Sequence, residues 1–384
     1  MEGDSVATTV LAKVLNVGKI NPFIISDVNY SAEFLVIPGN GAPRWIIPAD
    51  ARLGRGILTQ WRPYGLSSKI KWSVLLTFYK FRLLSKIPKI QIISALQNEE
   101  VGLHKIDHQV LRRRNEVVPV IYVGTPGPQQ KAVVTLIDIK SKAPLAIMKI
   151  PLGEQAKKSI IREANMLAML PEIGVGGGSS VLTVDEHAGV SLQTVLSGKL
   201  SPREFTLRHL GWLLSLPTAG EKFTFDEQKK KLVSLYSSAK FEMTLEQKES
   251  INNALLIIEG EKYFDLILTH GDFAPWNIKK EKYSKLKVFD WEDARVNGFP
   301  LWDICHFYFI QAHLFNENKR IADLLSFFND SNSLIQTYLN KKKIISRDAK
   351  KMVLLYVLFT VLNENTDSEY IEFLIKKIPV VINS

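Results

Sequence analysis

The apolar and polar positions change rhythm as the chain proceeds. The run Ala32-Glu33-Phe34-Leu35-Val36-Ile37 reads as a strand, broken by Pro38-Gly39-Asn40-Gly41. From Ile70 to Leu84 the spacing predicts a basic amphipathic helix. Val117–Val123 and Ala132–Asp138 are β-rich and are separated by Gly124-Thr125-Pro126-Gly127-Pro128. Pro144–Ile150 predicts a further strand, with Lys149 near its end. Glu154–Leu170 has helical spacing, with Ile160, Ile161, Ala164, Leu167 and Ala168 on one side, and Pro171 with the glycine cluster from Gly174 to Gly178 ends it. Val181–Val184 predicts another short strand. From Ser191 the pattern is mainly helical. Ser201-Pro202-Arg203-Glu204 has the order of a capping box, and Thr244-Leu245-Glu246-Gln247 repeats it ahead of a helix predicted to about Glu259. Phe264–Leu268 and Leu286–Phe289 are short apolar runs of strand character. A strand-rich part is thus followed by a helix-rich part, an α+β chain.

A length of 384 residues exceeds one typical core and predicts two or three domains. The natural segments are 1–115, 116–187 and 188–384. Apolar residues make up 46% and charged residues 23%, which excludes a largely disordered chain. No run of about 18 uninterrupted apolar residues occurs, so no spanning helix is expected. Met1-Glu2-Gly3-Asp4 lacks the basic-then-apolar order of a secretory signal. The one cysteine, Cys305, permits no intrachain disulfide and fits a reducing, cytoplasmic setting. It lies in an apolar, aromatic stretch and reads as core rather than nucleophile.

The net charge of +10 changes the picture, because it is unevenly placed. Residues 1–115 hold sixteen Lys or Arg against eight Asp or Glu. Between Ala51 and Asn98 there are nine basic residues and no acid. That imbalance points to an anionic partner. The stretch 52–89 also contains Trp61, Tyr64, Trp72, Phe78, Tyr79 and Phe81. Basic and aromatic residues together suit a membrane interface, which would place the protein at the membrane periphery. They also suit an anionic sugar or nucleic acid, nucleic acid being the less favoured. The plain structural reading is an extra subdomain that packs by its aromatics.

The residues with chemistry lie in His270-Gly271-Asp272-Phe273-Ala274-Pro275-Trp276-Asn277 and at Asp290. Phosphoryl transfer needs cations on the phosphates and a carboxylate to orient the acceptor hydroxyl. Asp272 supplies a carboxylate able to take that proton. Asn277 offers a neutral oxygen to Mg2+, and Asp290, delivered by a short strand, a charged one. Lys149 at the end of its strand and Glu163 in the following helix form the pairing that holds a phosphate-binding lysine in kinases. His270 reads as a structural hydrogen-bonder in the loop. Glu292 and Trp276 face the acceptor or simply pack.

These segments resemble the aminoglycoside phosphotransferase / choline kinase superfamily. The stretch from His270 to Asn277 matches its H-x-D-x-x-x-x-N catalytic loop, and Phe289-Asp290-Trp291-Glu292 its metal-binding aspartate segment. Asp303, in Gly298-Phe299-Pro300-Leu301-Trp302-Asp303, matches the helix-start aspartate that supports the catalytic loop. The resemblance covers roughly residues 116–384. It implies a two-lobed protein-kinase-like fold with an extra N-terminal region. It implies an ATP or GTP site between the lobes, a hinge near Asp185-Glu186-His187, and an acceptor site in the C-terminal helices. Two departures stand out. Gly124–Gln130 is not G-x-G-x-x-G, and residues 1–115 have no counterpart in the small antibiotic kinases; their match to extensions on relatives associated with bacterial surface glycans is loose.

The expectation is therefore an ATP-dependent phosphotransferase acting on a hydroxyl of a small molecule, a sugar or glycan-related alcohol. Its rivals are a nucleotide-binding scaffold or pseudokinase, and a membrane- or polyanion-binding protein that acts through its N-terminal region.

Overall fold

The computed structural model describes residues 7, 9–10, 31–39, 43–61, 63, 66–87, 89–96, 117–239, 242–281, 286–326, 330, 333–363 and 366–384. Asn40, Gly41, Tyr64 and the centre of the turn between Lys280 and Lys287 lie outside these residues. The chain divides into two compact units. One comprises residues 1–170 and 178–199, the other 171–177 and 200–384.

The first unit is built on one antiparallel sheet. Its strands are β1 (Ser31–Pro38), β2 (Pro43–Pro48), β3 (Gln91–Leu96), β4 (Val117–Val123), β5 (Lys131–Asp138), β6 (Pro144–Pro151), β7 (Val181–Asp185) and β8 (Val190–Thr194), in the order β3-β1-β2-β4-β5-β6-β8-β7. The basic N-terminal region is not a separate layer. Its β2 pairs with β4 through Trp45↔Tyr122 and Ile46↔Ile121, so the sheet runs on without a break. Phe34, Val36, Ile46 and Ile47 share one buried core with Val120, Val134 and Met148. A chain boundary near 115 would cut that core.

Among the described residues, the helices α1 (Ala51–Leu58), α2 (Leu66–Lys80) and α3 (Ala156–Met169) accompany the sheet. The aromatics of residues 52–89 divide into two sets. Trp61 and Trp72 gather with Trp45 at ring separations of 4.5 to 6.0 Å, and Tyr79 is fully buried, its hydroxyl donating to Pro48 O at 2.6 Å. Phe78 and Phe81 point outward. The helix ends at Lys80, earlier than the spacing predicts. Arg82 takes a left-handed conformation (φ 57°), and Leu83 N donates back to Phe78 O at 2.8 Å, which closes the last turn.

The second unit is mainly helical: α4 (Leu207–Leu214), α5 (Phe225–Ser238), α6 (Leu245–Ile257), α7 (Trp302–Phe315), α8 (Lys319–Leu325), α9 (Leu334–Lys342), α10 (Ser346–Val361) and α11 (Ser368–Ile382). Its strands are β9 (Thr218–Phe223), β10 (Phe264–Thr269), β11 (Ile278–Lys280), β12 (Lys287–Val288) and β13 (Arg295–Gly298). A strand-rich unit followed by a helix-rich unit is the predicted α+β order.

Two predicted elements come out differently. Val190–Thr194 is a strand of the first sheet, because its alternate residues pair with β6 (Lys149↔Ser191, Ile147↔Gln193). The capping box at Ser201 starts no helix. Ser201 Oγ instead meets His209 Nε2 at 2.8 Å, and Arg203 reaches Glu317 at 2.5 Å. The helix begins at Leu207 under a different box, in which Thr206 N donates to His209 Nδ1 at 2.9 Å. The box at Thr244 forms as predicted, with Gln247 N donating to Thr244 Oγ1 at 3.2 Å and Thr244 N to Gln247 Oε1 at 2.9 Å.

Candidate active site

In the first unit, Lys149 sits on β6 and Glu163 on α3. Lys149 Nζ lies 2.7 Å from Glu163 Oε1 and 2.6 Å from Oε2. Both groups are withdrawn from water: Glu163 is fully buried and Lys149 is 6% exposed. A buried carboxylate needs more than one donor to offset its lost hydration. Gln193 of β8 supplies the second, donating Nε2–H to Glu163 Oε2 at 3.1 Å, while its own carbonyl accepts from Ser179 Oγ at 3.1 Å. Nothing in the sequence marked Gln193, since its role arises only when β8 pairs beside β6.

The loop from Gly124 to Gln130 joins β4 to β5. Its carbonyls are spent on the segment that leads into α3: Gln130 O accepts from Leu152 N and Gly153 N, and Pro128 O from Gln155 N, at 2.8 to 2.9 Å. Gly153 is required there, because a Cβ would stand 2.3 Å from Pro128 O. The loop is thus anchored through carbonyl acceptors. Asp185-Glu186-His187 forms the β7–β8 turn. Asp185 Oδ1 accepts from Ala188 N at 2.8 Å, and His187 O accepts from Lys157 Nζ at 2.6 Å. These three residues belong to a hairpin inside the first sheet, whereas the chain passes into the second unit between Lys199 and Leu200. The strand that follows these residues, β8, still belongs to that sheet.

In the second unit, β10 leads into the loop from His270 to Asn277. His270 N and Gly271 N donate to the two oxygens of Asp303, on the first turn of α7, at 2.8 and 2.9 Å. Burial pushes the Asp303 carboxyl above the usual range, and the two backbone donors and the nearby His270 and His306 rings oppose that shift. His270 is fully buried, and its Nε2 lies 3.0 Å from Phe289 O, so Nε2 carries the proton and donates. The ring ties the loop to the residue before Asp290. Gly271 has φ 86°, and a Cβ on it would stand 2.2 Å from Asp293 O, so only glycine fits between His270 and Asp272.

Asn277 Nδ2 donates to Asp272 Oδ2 at 2.7 Å and to Asp272 O at 3.0 Å. The amide nitrogen is therefore committed, and the carboxamide oxygen is left for another partner. Asn277 O accepts from Phe289 N at 3.0 Å, and β11 and β12 pair through Ile278↔Val288, so Asn277 and the segment ending in Asp290 are held side by side. Asp290 itself adopts a left-handed backbone (φ 69°, ψ 60°), rare outside Gly, Asn and Asp. An amide oxygen and a carboxylate are hard donors that fit Mg2+ rather than a softer metal.

One residue in contact with Asp272 escaped the sequence reading. His306 Nε2 lies 2.8 Å from Asp272 Oδ1, and His306 Nδ1 lies 3.2 Å from Tyr356 OH, which meets Tyr370 OH at 2.7 Å. A carboxylate only accepts, so Nε2 carries the proton; a neutral ring then accepts at Nδ1 from Tyr356, which accepts from Tyr370. Burial raises the hydroxyls of both tyrosines, which keeps them protonated. The available signal was an imidazole in an apolar stretch, three residues after Asp303 and so on the same helix side. Its neighbour Cys305 is fully buried, and burial pushes the thiol up, so it is core. Trp276 is half-buried and meets Phe315 edge-on at 6.5 Å.

No family model and no curated protein matches the chain. Among solved structures it is similar to choline kinase LicA from Streptococcus pneumoniae, at 16% identity over 70% of this chain and 94% of that one, with a TM-score of 0.44. It is also similar to macrolide 2'-phosphotransferase type I, at 13% identity over 70% and 93% with a TM-score of 0.43. A choline/ethanolamine kinase family protein from Mesorhizobium loti matches at 16% identity over 68% and 88% with a TM-score of 0.40. Likenesses this distant leave the chemistry to the residues themselves.

Proposed function

We propose that this protein is an ATP-dependent phosphotransferase that moves a γ-phosphoryl group to a hydroxyl of a small molecule, a sugar or glycan-related alcohol. The observation that carries the reading is the treatment of Asp272: Asn277 and His306 fix its two oxygens, yet its side chain keeps 31% exposure. A carboxylate held on both sides and still open to solvent is suited to receive one proton from an incoming hydroxyl. As the acceptor oxygen forms its bond to phosphorus, its proton passes to Asp272 and the bond to the β-phosphate oxygen breaks, the charge leaving with the diphosphate. Asn277 and Asp290 would hold Mg2+, which when bound neutralises the phosphate oxygens. Lys149, held by Glu163, which Gln193 fixes in turn, supplies a cation for phosphate. Trp276 places an indole four positions from the base, a group suited to the apolar face of a sugar ring.

The test is magnesium-dependent ATP turnover against a panel of sugars, sugar phosphates, choline and aminoglycosides. Asp272→Asn should lower turnover roughly 10²–10⁴-fold. Turnover within a few-fold of wild type would sink the assignment. Nucleotide binding with no acceptor-stimulated turnover across the panel would favour a scaffold.

A further inference from the structure

Helix α2 is apolar on two opposite sides. Trp72, Leu75, Leu76 and Tyr79 face the sheet and pack on its core. Ile70, Val74 and Phe78, spaced four apart and continued by Phe81, form a second stripe that faces away, with exposures of 57, 50, 38 and 61%. A helix whose only duty was to pack on the sheet would carry polar residues there. By helical spacing Lys71 borders the stripe on one side; on the other Thr77 and Ser73 come first, with Lys80 and Lys69 beyond them, all exposed. Lys80 Nζ sits 5.2 Å from the centre of the Phe81 ring. Exposed Lys86 and Lys89 follow in the next turns. The acid just before this stretch, Asp50, is already engaged, 2.6 Å from Arg52 and 3.8 Å from Arg82. The closed turn at Arg82 holds Phe81 at the end of the stripe.

We propose that this outer stripe of α2 rests on an anionic lipid surface, its apolar side chains entering the headgroup boundary and its lysines meeting lipid phosphates. Three observations select that occupant. The apolar stripe shares the exposed part of the helix with Lys69, Lys71 and Lys80, and residues 51–98 hold no acid, which complements an anionic surface. Ile70 and Val74 offer nothing for nucleobases to stack on, which disfavours a nucleic acid. No helix among the described residues is long and apolar enough to cross a membrane, so the contact lies on the surface. The inner side of α2 is fixed independently by Tyr79 and by Trp72, whose Nε1–H donates to Leu58 O at 3.1 Å, so the outer side is free to change without loss of the fold.

The experiment is flotation of the full-length protein with vesicles of phosphatidylcholine alone and of phosphatidylcholine mixed with phosphatidylglycerol. Binding is expected to the mixed vesicles only, and to weaken with salt. Phe78→Ser/Phe81→Ser and, separately, Lys69→Ser/Lys71→Ser should each reduce it by roughly tenfold or more. Absence of binding to the mixed vesicles would overturn the proposal, as would equal binding by the Phe78→Ser/Phe81→Ser variant. Self-association in light scattering that the same variant abolishes would assign the stripe to a second copy and overturn it. Binding to a single-stranded oligonucleotide but not to vesicles would also overturn it.

Discussion

His306 Nε2 stands 2.8 Å from Oδ1 of Asp272, on the opposite oxygen from the one that Asn277 engages at 2.7 Å. The carboxylate is thus clamped between a loop amide and a helix imidazole. The His306 ring is in turn fixed by Tyr356, behind which stands Tyr370. Removing the imidazole should leave nucleotide binding in place and damage the geometry of proton acceptance. His306→Ala is expected to lower kcat about 10- to 100-fold with the KM for ATP within a few-fold. His306→Gln, which can return a donor near Nε2, should recover part of the loss. Steady-state kinetics of the two variants on the best acceptor from the panel decide this. Equal losses in both would mean that the imidazole only fills space.

The Lys149–Glu163 pair predicts an asymmetry in stability. Lys149→Met removes the cation from a fully buried carboxylate to which Gln193 still donates. Breaking one side of a buried pair costs about 3–5 kcal/mol, whereas replacing both partners by apolar groups of similar volume is often neutral. Urea unfolding should therefore show Lys149→Met to be the less stable variant and Lys149→Met/Glu163→Leu to recover much of the loss. Nucleotide affinity should fall in both. A double variant no more stable than the single one would contradict this account.

Asp303 predicts a different failure. Its two oxygens each accept one backbone N–H, from His270 and Gly271, at a site closed to water. In Asp303→Asn, one oxygen becomes an NH2 group facing a backbone donor. That variant should lose about 3 kcal/mol, and Asp303→Ala at least as much, because buried donors are left unmatched. Calorimetry reads the stability. Because the loop from His270 to Asn277 hangs on these bonds, hydrogen exchange at Gly271 should rise in both variants by more than global destabilisation explains.

Much of this was legible in the chain. The spacing from His270 through Asn277 to Asp290 is local, and the short strands around it carry those residues without help from distant ones. Lys149 and Glu163 were also readable, because a strand lysine and the following helix bring them together. Gln193 and His306 were not. Each matters through a partner 30 or 34 residues away, and only strand order or helix packing sets that distance. The capping box at Ser201 misled for a related reason. Local signals compete with tertiary ones, and Ser201 and Arg203 found better partners in His209 and Glu317. Helix α2 misled more subtly, since apolar residues on two opposite sides cancel the one-sided pattern of an amphipathic helix.

His209 gives the last prediction, a dependence of stability on pH. Its Nδ1 accepts from Thr206 N at 2.9 Å, so Nε2 carries the proton toward Ser201 Oγ at 2.8 Å. A second proton would sit on Nδ1, facing a backbone donor in a site 1% exposed. Burial, with Lys280 nearby, pulls the imidazole down from 6.5 to about 4. The folded state thus refuses a proton that the unfolded chain accepts. The contribution is intact above pH 6.5 and is lost as pH falls from there toward 4, at about 1.4 kcal/mol per pH unit and about 3 kcal/mol in all. Denaturant unfolding across that range should show wild type losing stability faster than His209→Gln, which starts less stable but lacks this titration. Parallel slopes in the two proteins would mean that His209 does not exclude the proton.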